Sequence, residues 1–493
     1  MTETQGTRAS GGARRPRVAV IGAGMSGLLA GIKLADAGIP DFTIFEKAHD
    51  VGGTWRENRY PGLTCDVPSL LYSYSFALGT EWTRRYPAGP EIQAYFRGIA
   101  EKHDLLPRIR FRSEVVEAVR TRGVWRLTLG DGSTHDADFV IAACGFLHRP
   151  RNPDIEGLDS FAGAAFHSAR WPDGLDLSGK RVGVIGTGST AAQVIPELAR
   201  IAARLTVFQR TAQWVFPAPN PVFGEAARAR FRRHPRLLRL RYQLWRIGFE
   251  MGAHALLGNR PLLAWIDWRC RRNLAQVRDP ALRAKLTPTY RAGCKRLVIS
   301  EAFYPAMQRE NVELVTEPIA RIRPEGVETC DGTLRGLDAL VLATGFDAHA
   351  YVRPMRVVNE SGLTVDELWK DGVHGYRTVA LPSFPNFFLV CGPHSPIGNY
   401  SVITVSEVQV GYIVRCIELF RRGVLTSLAP TAAATHAFNA SLRGALAGTV
   451  WVSGCKSWYL DEHGVPVLWP WPIAELRRQL REPDLAEFEV VRG

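Results

Sequence analysis

The chain reads as an α/β protein of two doubly wound units with a helical insertion, and three features predict it. Residues 17–22 (RVAVIG) form a short β-branched run that opens on Gly22-x-Gly24-x-x-Gly27, followed by a helical stretch to Gly38 and a second strand, FTIFEK. The same order returns at residues 181–210, with RVGVIG, then Gly186-x-Gly188-x-x-Ala191, a helix through Ala199, and the strand RLTVFQR. Between that unit and residue 290 the period changes: Leu237, Leu240, Leu244, Ile247 and Met251 recur at three- and four-residue spacing, which is helical.

Each element has a local cause. Continuous apolar runs suit parallel strands covered on both faces. Glycines between strand and helix permit a tight turn and let backbone N–H groups approach a pyrophosphate at the helix N-terminus. One such loop is weak evidence, but two in strand–loop–helix–strand context predict two Rossmann-like dinucleotide-binding domains. A third apolar strand, DALVLATG, spans residues 338–345. The ends of the second strands differ. Glu46 closes the first unit, and a carboxylate there accepts from ribose hydroxyls and repels a 2′-phosphate, which fits FAD or NAD. The second unit ends on Gln209-Arg210-Thr211, with no acid; a guanidinium and a hydroxyl suit the 2′-phosphate of NADPH. Two nucleotides in one chain imply hydride transfer from NADPH to FAD. No C-x-x-C pair is present to pass electrons to a disulfide, which leaves oxygen or another acceptor.

Composition narrows the class. The 493 residues are 46% hydrophobic and 22% charged, a globular balance that needs no metal or disulfide staple. The net charge of +13 is concentrated: residues 221–290 hold 15 Arg and Lys against 4 Asp and Glu. This segment is expected to be a basic helical insertion whose apolar stripe packs on the nucleotide domains, with a solvated face that attracts anionic NADPH. Peripheral contact with a membrane surface is the less favoured reading of the same helix. No nucleic-acid module accompanies the charge. Eight scattered cysteines predict reduced, buried thiols and a cytoplasmic setting, with neither a disulfide framework nor a zinc site. The 12 histidines form no metal-ligand pattern. Arg14-Arg15 before the apolar stretch to Ile32 mimics an export leader, but glycines at nucleotide-loop spacing interrupt it. Residues 1–16 are expected to be disordered.

Between the two units lies FAGAAFHSARWP, that is Phe161-x-Gly163-x-x-x-His167-x-x-x-Trp171-Pro172. On physical grounds alone this is equally a packed linker with a satisfied histidine. It matches, however, the linker signature of the type I Baeyer–Villiger monooxygenases, at that family's position before the second nucleotide loop. The chain resembles that family almost throughout, in GAGMSG, GGTWRENRYPG, CDVPSLLYSYSF, CGFLHRP, IGTGSTAAQ, FQRTAQW, GCKRLVIS, ATGFD and SGCKSWYL. The resemblance implies an FAD-binding domain from residues 17–150 and 331–493, an NADPH-binding domain from 151–215 and 291–330, and an insertion at 216–290. It implies that NADPH reduces FAD, that oxygen adds to the flavin C4a, and that the resulting peroxide converts a ketone to an ester or lactone.

The resemblance also implies roles for single residues. Arg296 would be the fixed cation that favours an anionic oxygen, because a guanidinium stays charged at any working pH and donates a fork of hydrogen bonds. Asp66 would position it, although a buried Arg–Asp pair is also a common structural device. Lys295 would be a second contact to the 2′-phosphate. Gly53, Thr54, Trp55 and Tyr60 resemble flavin-contact positions. Thr187 and Ser189 belong to the second loop, and Trp458 resembles a tryptophan that packs on the retained nicotinamide. His167 would couple the linker to the two cofactor positions. Ala191 stands where some relatives have glycine, which the G-x-G-x-x-G/A pattern accepts. The loop Pro68–Tyr72 and the insertion are expected to shape a pocket for a hydrophobic small-molecule ketone. The alternatives are oxygenation of nitrogen or sulfur, and an uncoupled NADPH oxidase.

Overall fold

The structure, a computed structural model, describes residues 15–492. The expectation for residues 1–16 therefore falls outside the described residues except at Arg15 and Pro16. Five parallel strands form the first sheet, in the order Phe387–Leu389, Phe139–Ala142, Val18–Ile21, Phe42–Phe45, Ile109–Arg110. Val18 is in register with both Phe42 and Phe139. VAVI and FVIA are buried along their whole length, because helices cover one face and a four-stranded sheet of Arg356–Val358, Val115–Thr121, Val124–Leu129 and Thr134–Ala137 covers the other. The edge strand Phe387–Leu389 comes from the C-terminal part of the chain, so both ends build this unit.

The second sheet is again five parallel strands, in the order Val312–Val315, Arg204–Phe208, Arg181–Ile185, Ala339–Leu342, Ala164–His167. Its composition corrects one boundary. Residues 331–345 were expected with the first unit, yet Ala339–Leu342 pairs with Arg181–Ile185 and with the linker strand Ala164–His167. The reason is pattern ambiguity: an all-apolar strand carries no mark of which sheet it joins.

The helical insertion leaves the second unit at Val215–Phe216 and returns at Val298–Ile299, and these two short strands pair in parallel. Exit and return are thus stitched together, which fixes the segment that carries Arg296. Within the insertion run the helices Glu225–Arg233, Pro235–Leu256, Arg260–Leu274 and Pro280–Lys285. The long helix corrects a second expectation. Leu240, Leu244, Ile247 and Met251 do not pack on the nucleotide domains; they are 49–59% exposed. The buried face is instead Leu238, Tyr242, Ala253 and Leu256, with Trp245 and Phe249 half-buried between them. This helix has two apolar stripes, and the larger, aromatic one takes the core.

A third correction concerns cysteine. Cys294 and Cys455 form a disulfide across 161 residues of sequence, with Cα atoms 6.2 Å apart. The other six cysteines are free. Sequence separation conceals a pair that only the fold brings together, and the pairing withdraws the thiol argument for a reducing compartment. Among the described residues no helix is long and apolar enough to cross a membrane, and no group of acidic, histidine or cysteine side chains could hold a metal ion.

Candidate active site

Both glycine loops adopt the conformation that phosphate binding requires. Gly22 and Gly186 have φ of 102° and 115°, where a side chain is strained. A Cβ on Gly27 would lie 1.8 Å from the Gly22 carbonyl oxygen, so only glycine lets this helix begin against its loop. At Gly188 an added Cβ would meet nothing within 4 Å, leaving open space above the loop at the start of helix Ser189–Ile201. Ala191 is fully buried behind it. In the first unit, Gly52 donates to the Ala23 carbonyl at 3.1 Å, and Gly53 lies against Gly24, which presses the Thr54–Glu57 turn onto the loop. The Glu46 carboxylate is buried and accepts from the N–H groups of Ala23 and Ala48 at 2.8 and 2.9 Å. It therefore anchors the glycine loop from the end of the second strand.

Two cations stand at the end of the second unit's second strand. Arg210 is exposed at the end of strand Arg204–Phe208, and among the described residues no carboxylate pairs with it. Lys295 is half-buried over the Tyr290 ring at 4.6 Å. Burial, and then the charge of Arg210, lower the pKa of Lys295, so two cations share one corner without an anion. Such a corner fits a 2′-phosphate. Thr187 donates to the Thr211 carbonyl at 3.0 Å, tying the glycine loop to that corner.

Arg296 and Asp66 meet as a bidentate pair. Nε donates to Oδ2 and Nη2 to Oδ1, both at 2.9 Å, and Nη1 donates to the Gly398 carbonyl at 3.1 Å. Burial works against the charge, but Asp66 overrides it and holds the guanidinium above its ordinary pKa. Burial likewise pushes the neighbouring Tyr459 hydroxyl up to about 12, against the pull of Arg296. Three chain segments thus converge on one cation: the loop of Asp66, the return of the insertion, and the C-terminal segment. Sequence reasoning missed the groups that fix it. Asn399 accepts from the Leu297 N–H and donates to the Leu297 carbonyl, each at 3.2 Å. The Cys294–Cys455 bond brackets the same residues. An Asn beside a Gly in a loop carries no such signal in sequence.

Other expected residues sit at the boundary between units. Tyr60 is buried; its hydroxyl donates to Gln193 Oε1 at 3.0 Å, and Gln193 in turn donates to the Thr64 carbonyl at 2.9 Å. Tyr60 therefore links the first unit's loop to the second unit's helix, through a glutamine that motif spacing did not single out. Trp55 donates to the Tyr72 hydroxyl at 2.9 Å. Trp458 stacks with Phe146 at 6.0 Å. Leu70, Leu71 and Tyr72, expected to shape a substrate pocket, belong to the first unit's core.

The linker signature is structural and connective at once. His167 accepts from the Ala169 N–H on Nδ1 at 3.1 Å, so its proton lies on Nε2, which donates to the Gly345 carbonyl at 2.9 Å. The ring joins the end of the linker strand to the ATGFD turn. A Cβ on Gly163 would come within 2.4 Å of the Asp338 carbonyl oxygen, which accounts for glycine there. Phe161 is buried, and Trp171 meets Phe166 edge to face at 5.0 Å. Pro172 is exposed and makes no such contact.

Residues 15–220 match the family model described as flavin-binding monooxygenase-like. A Baeyer-Villiger monooxygenase of Streptomyces coelicolor is 42% identical over 97% of this chain and 93% of its own length. An uncharacterized monooxygenase of Mycobacterium tuberculosis is 49% identical over 97% and 98%. Among solved structures, a closed form of cyclohexanone monooxygenase superposes with a TM-score of 0.86 at 28% identity, covering 97% of this chain and 99% of that one. An oxidized steroid monooxygenase bound to NADP gives 0.85 at 31%, covering 97% and 100%.

Two outcomes follow from this geometry. Arg210→Ala removes one charge from the cationic corner, so NADPH affinity should fall about tenfold or more while NADH affinity stays within about twofold; titration of the two nucleotides reads this directly, and equal losses would place the 2′-phosphate elsewhere. The second concerns His394, buried four residues before Gly398. Burial, and then the charges around it from His349, His374 and Arg443, lower its pKa from 6.5 to about 3. Such a histidine contributes stability that is complete above pH 6.5 and is lost as pH falls toward 3. Between pH 6.5 and 5, urea unfolding should show a loss of about 2 kcal/mol that His394→Gln lacks.

Proposed function

The chain belongs to the Baeyer–Villiger monooxygenases of the flavin-binding monooxygenase family, and from this premise we propose that it inserts one oxygen atom beside the carbonyl of a hydrophobic ketone. The overall reaction consumes ketone, O2, NADPH and a proton, and yields an ester or lactone, NADP+ and water. Bound FAD, reduced by NADPH, supplies the redox chemistry with oxygen. The first glycine loop with Glu46, Gly53 and Thr54 would hold FAD; the second loop with Arg210, Thr211 and Lys295 would hold NADPH.

The observation that carries this reading is the Arg296 fork. Three of its five N–H donors are engaged by Asp66 and Gly398, and the other two are left for the Tyr459 hydroxyl beside it and for an anionic oxygen. Its charge does not titrate in the working range. It is also fixed before substrate arrives, so no reorganisation is needed when negative charge develops. Tyr459 stands beside it and meets the Trp458 ring, which in turn stacks with Phe146.

Arg296→Ala should still consume NADPH in the flavin-reduction step but should form ester about 100-fold more slowly or not at all. Aerobic NADPH consumption across a ketone panel, with products identified by mass spectrometry, checks this. Ester formation at the wild-type rate by that variant would remove Arg296 from the chemistry.

A further inference from the structure

Among the described residues, none covers the outer stripe of the long insertion helix. Leu240, Leu244, Ile247 and Met251 follow one another at spacings of four, three and four, so they form a single line along helix Pro235–Leu256. Each is about half exposed, while the opposite face of the same helix is in the core. The adjoining helix Arg260–Leu274 carries two more half-exposed apolar side chains, Trp265 and Trp268, with Arg272 over the Trp268 ring at 5.5 Å. A line of large aliphatic side chains in water is unusual for a protein surface and marks a contact.

The charge around the stripe selects what it contacts. Arg233, Arg236 and Arg239 are exposed at its N-terminal end, and among the described residues none of the three has an acidic partner. There the turn between helices Glu225–Arg233 and Pro235–Leu256 forms a shallow depression open to solvent, lined by Arg230, Arg233, His234, Pro235, Arg236 and Leu237. Its cations favour an anionic group beside the apolar line. A nucleic-acid backbone would satisfy the arginines but not the leucines. A second copy of this chain would cover the leucines but would bring two segments of 15 basic and 4 acidic residues face to face. An anionic bilayer satisfies both, with phosphates at the arginines and the acyl boundary at the aliphatic line. The helix has 22 residues but carries a charged face and is not apolar enough to cross a bilayer, so contact with one would be in the interface plane.

We propose that the exposed face of this insertion docks the protein on the surface of an anionic phospholipid bilayer. Full-length protein should co-sediment with vesicles of mixed phosphatidylcholine and phosphatidylglycerol at low salt, and at least about tenfold less with phosphatidylcholine alone. Arg236→Ala and Arg239→Ala should each lower partitioning about fivefold. Leu244→Glu combined with Ile247→Glu should lower it about tenfold or more, while the unfolding midpoint and NADPH oxidation in solution stay unchanged. The proposal is overturned if anionic vesicles sediment no protein, or if the Leu244→Glu, Ile247→Glu variant binds them as wild type does. It is equally overturned if sedimentation velocity shows a dimer that this double variant dissociates, since the stripe would then be covered by a second copy.

Discussion

A guanidinium withdrawn from water must have its charge answered, and in this protein the answer organises the site. Arg296 comes from the return of the helical insertion, Asp66 from a loop of the first unit, and the Gly398 carbonyl from the C-terminal segment. Displacing any of these segments would leave a part-buried donor or charge unmatched, at a cost of about 1–3 kcal/mol. The need to satisfy one cation therefore sets the mutual position of three parts of the chain. The surrounding contacts serve the same end. Val215–Phe216 pairs with Val298–Ile299, Asn399 holds Leu297 by both backbone groups, and Cys294 is bonded to Cys455.

The two nucleotide units depend on a different and more local constraint, the backbone of the glycine loops, where Gly22 and Gly186 take positive φ and Gly27 leaves no room for a side chain. This is why their strands, loops and helices were legible from sequence: glycine at these three positions has no ready substitute, and a fully buried parallel strand leaves a continuous apolar run. The Asp66–Arg296 pair was legible only through family resemblance, since nothing in either local sequence points to a partner 230 residues away. Asn399, Gln193 and the Cys294–Cys455 bond were not legible at all. Their roles arise from proximity created by the fold, and common residues in loops carry no periodic or spacing signal.

The insertion shows how a correct pattern can be assigned to the wrong face. Helical spacing at Leu240, Leu244, Ile247 and Met251 is real, but a second apolar line through Leu238, Tyr242, Ala253 and Leu256 competes with it. Tyr242, Trp245 and Phe249 bring more area per residue to the core than leucine does, so burial of that face wins. The charge concentrated in this segment then lies beside an apolar line that the described residues leave about half exposed. A similar ambiguity misplaced strand Ala339–Leu342, whose residues are all apolar and fit either sheet equally well.

The central claim is that Arg296 acts as a cation held in place by Asp66. A double-mutant cycle on ester formation tests it most directly, using Asp66→Ala, Arg296→Ala and the pair, with flavin reduction by NADPH measured in each protein as the control for folding and cofactor binding. If Asp66 works through Arg296, the double variant should form ester no more slowly than Arg296→Ala alone. Losses that multiply, with flavin reduction intact in all three, would show that the two residues act independently and would contradict the account.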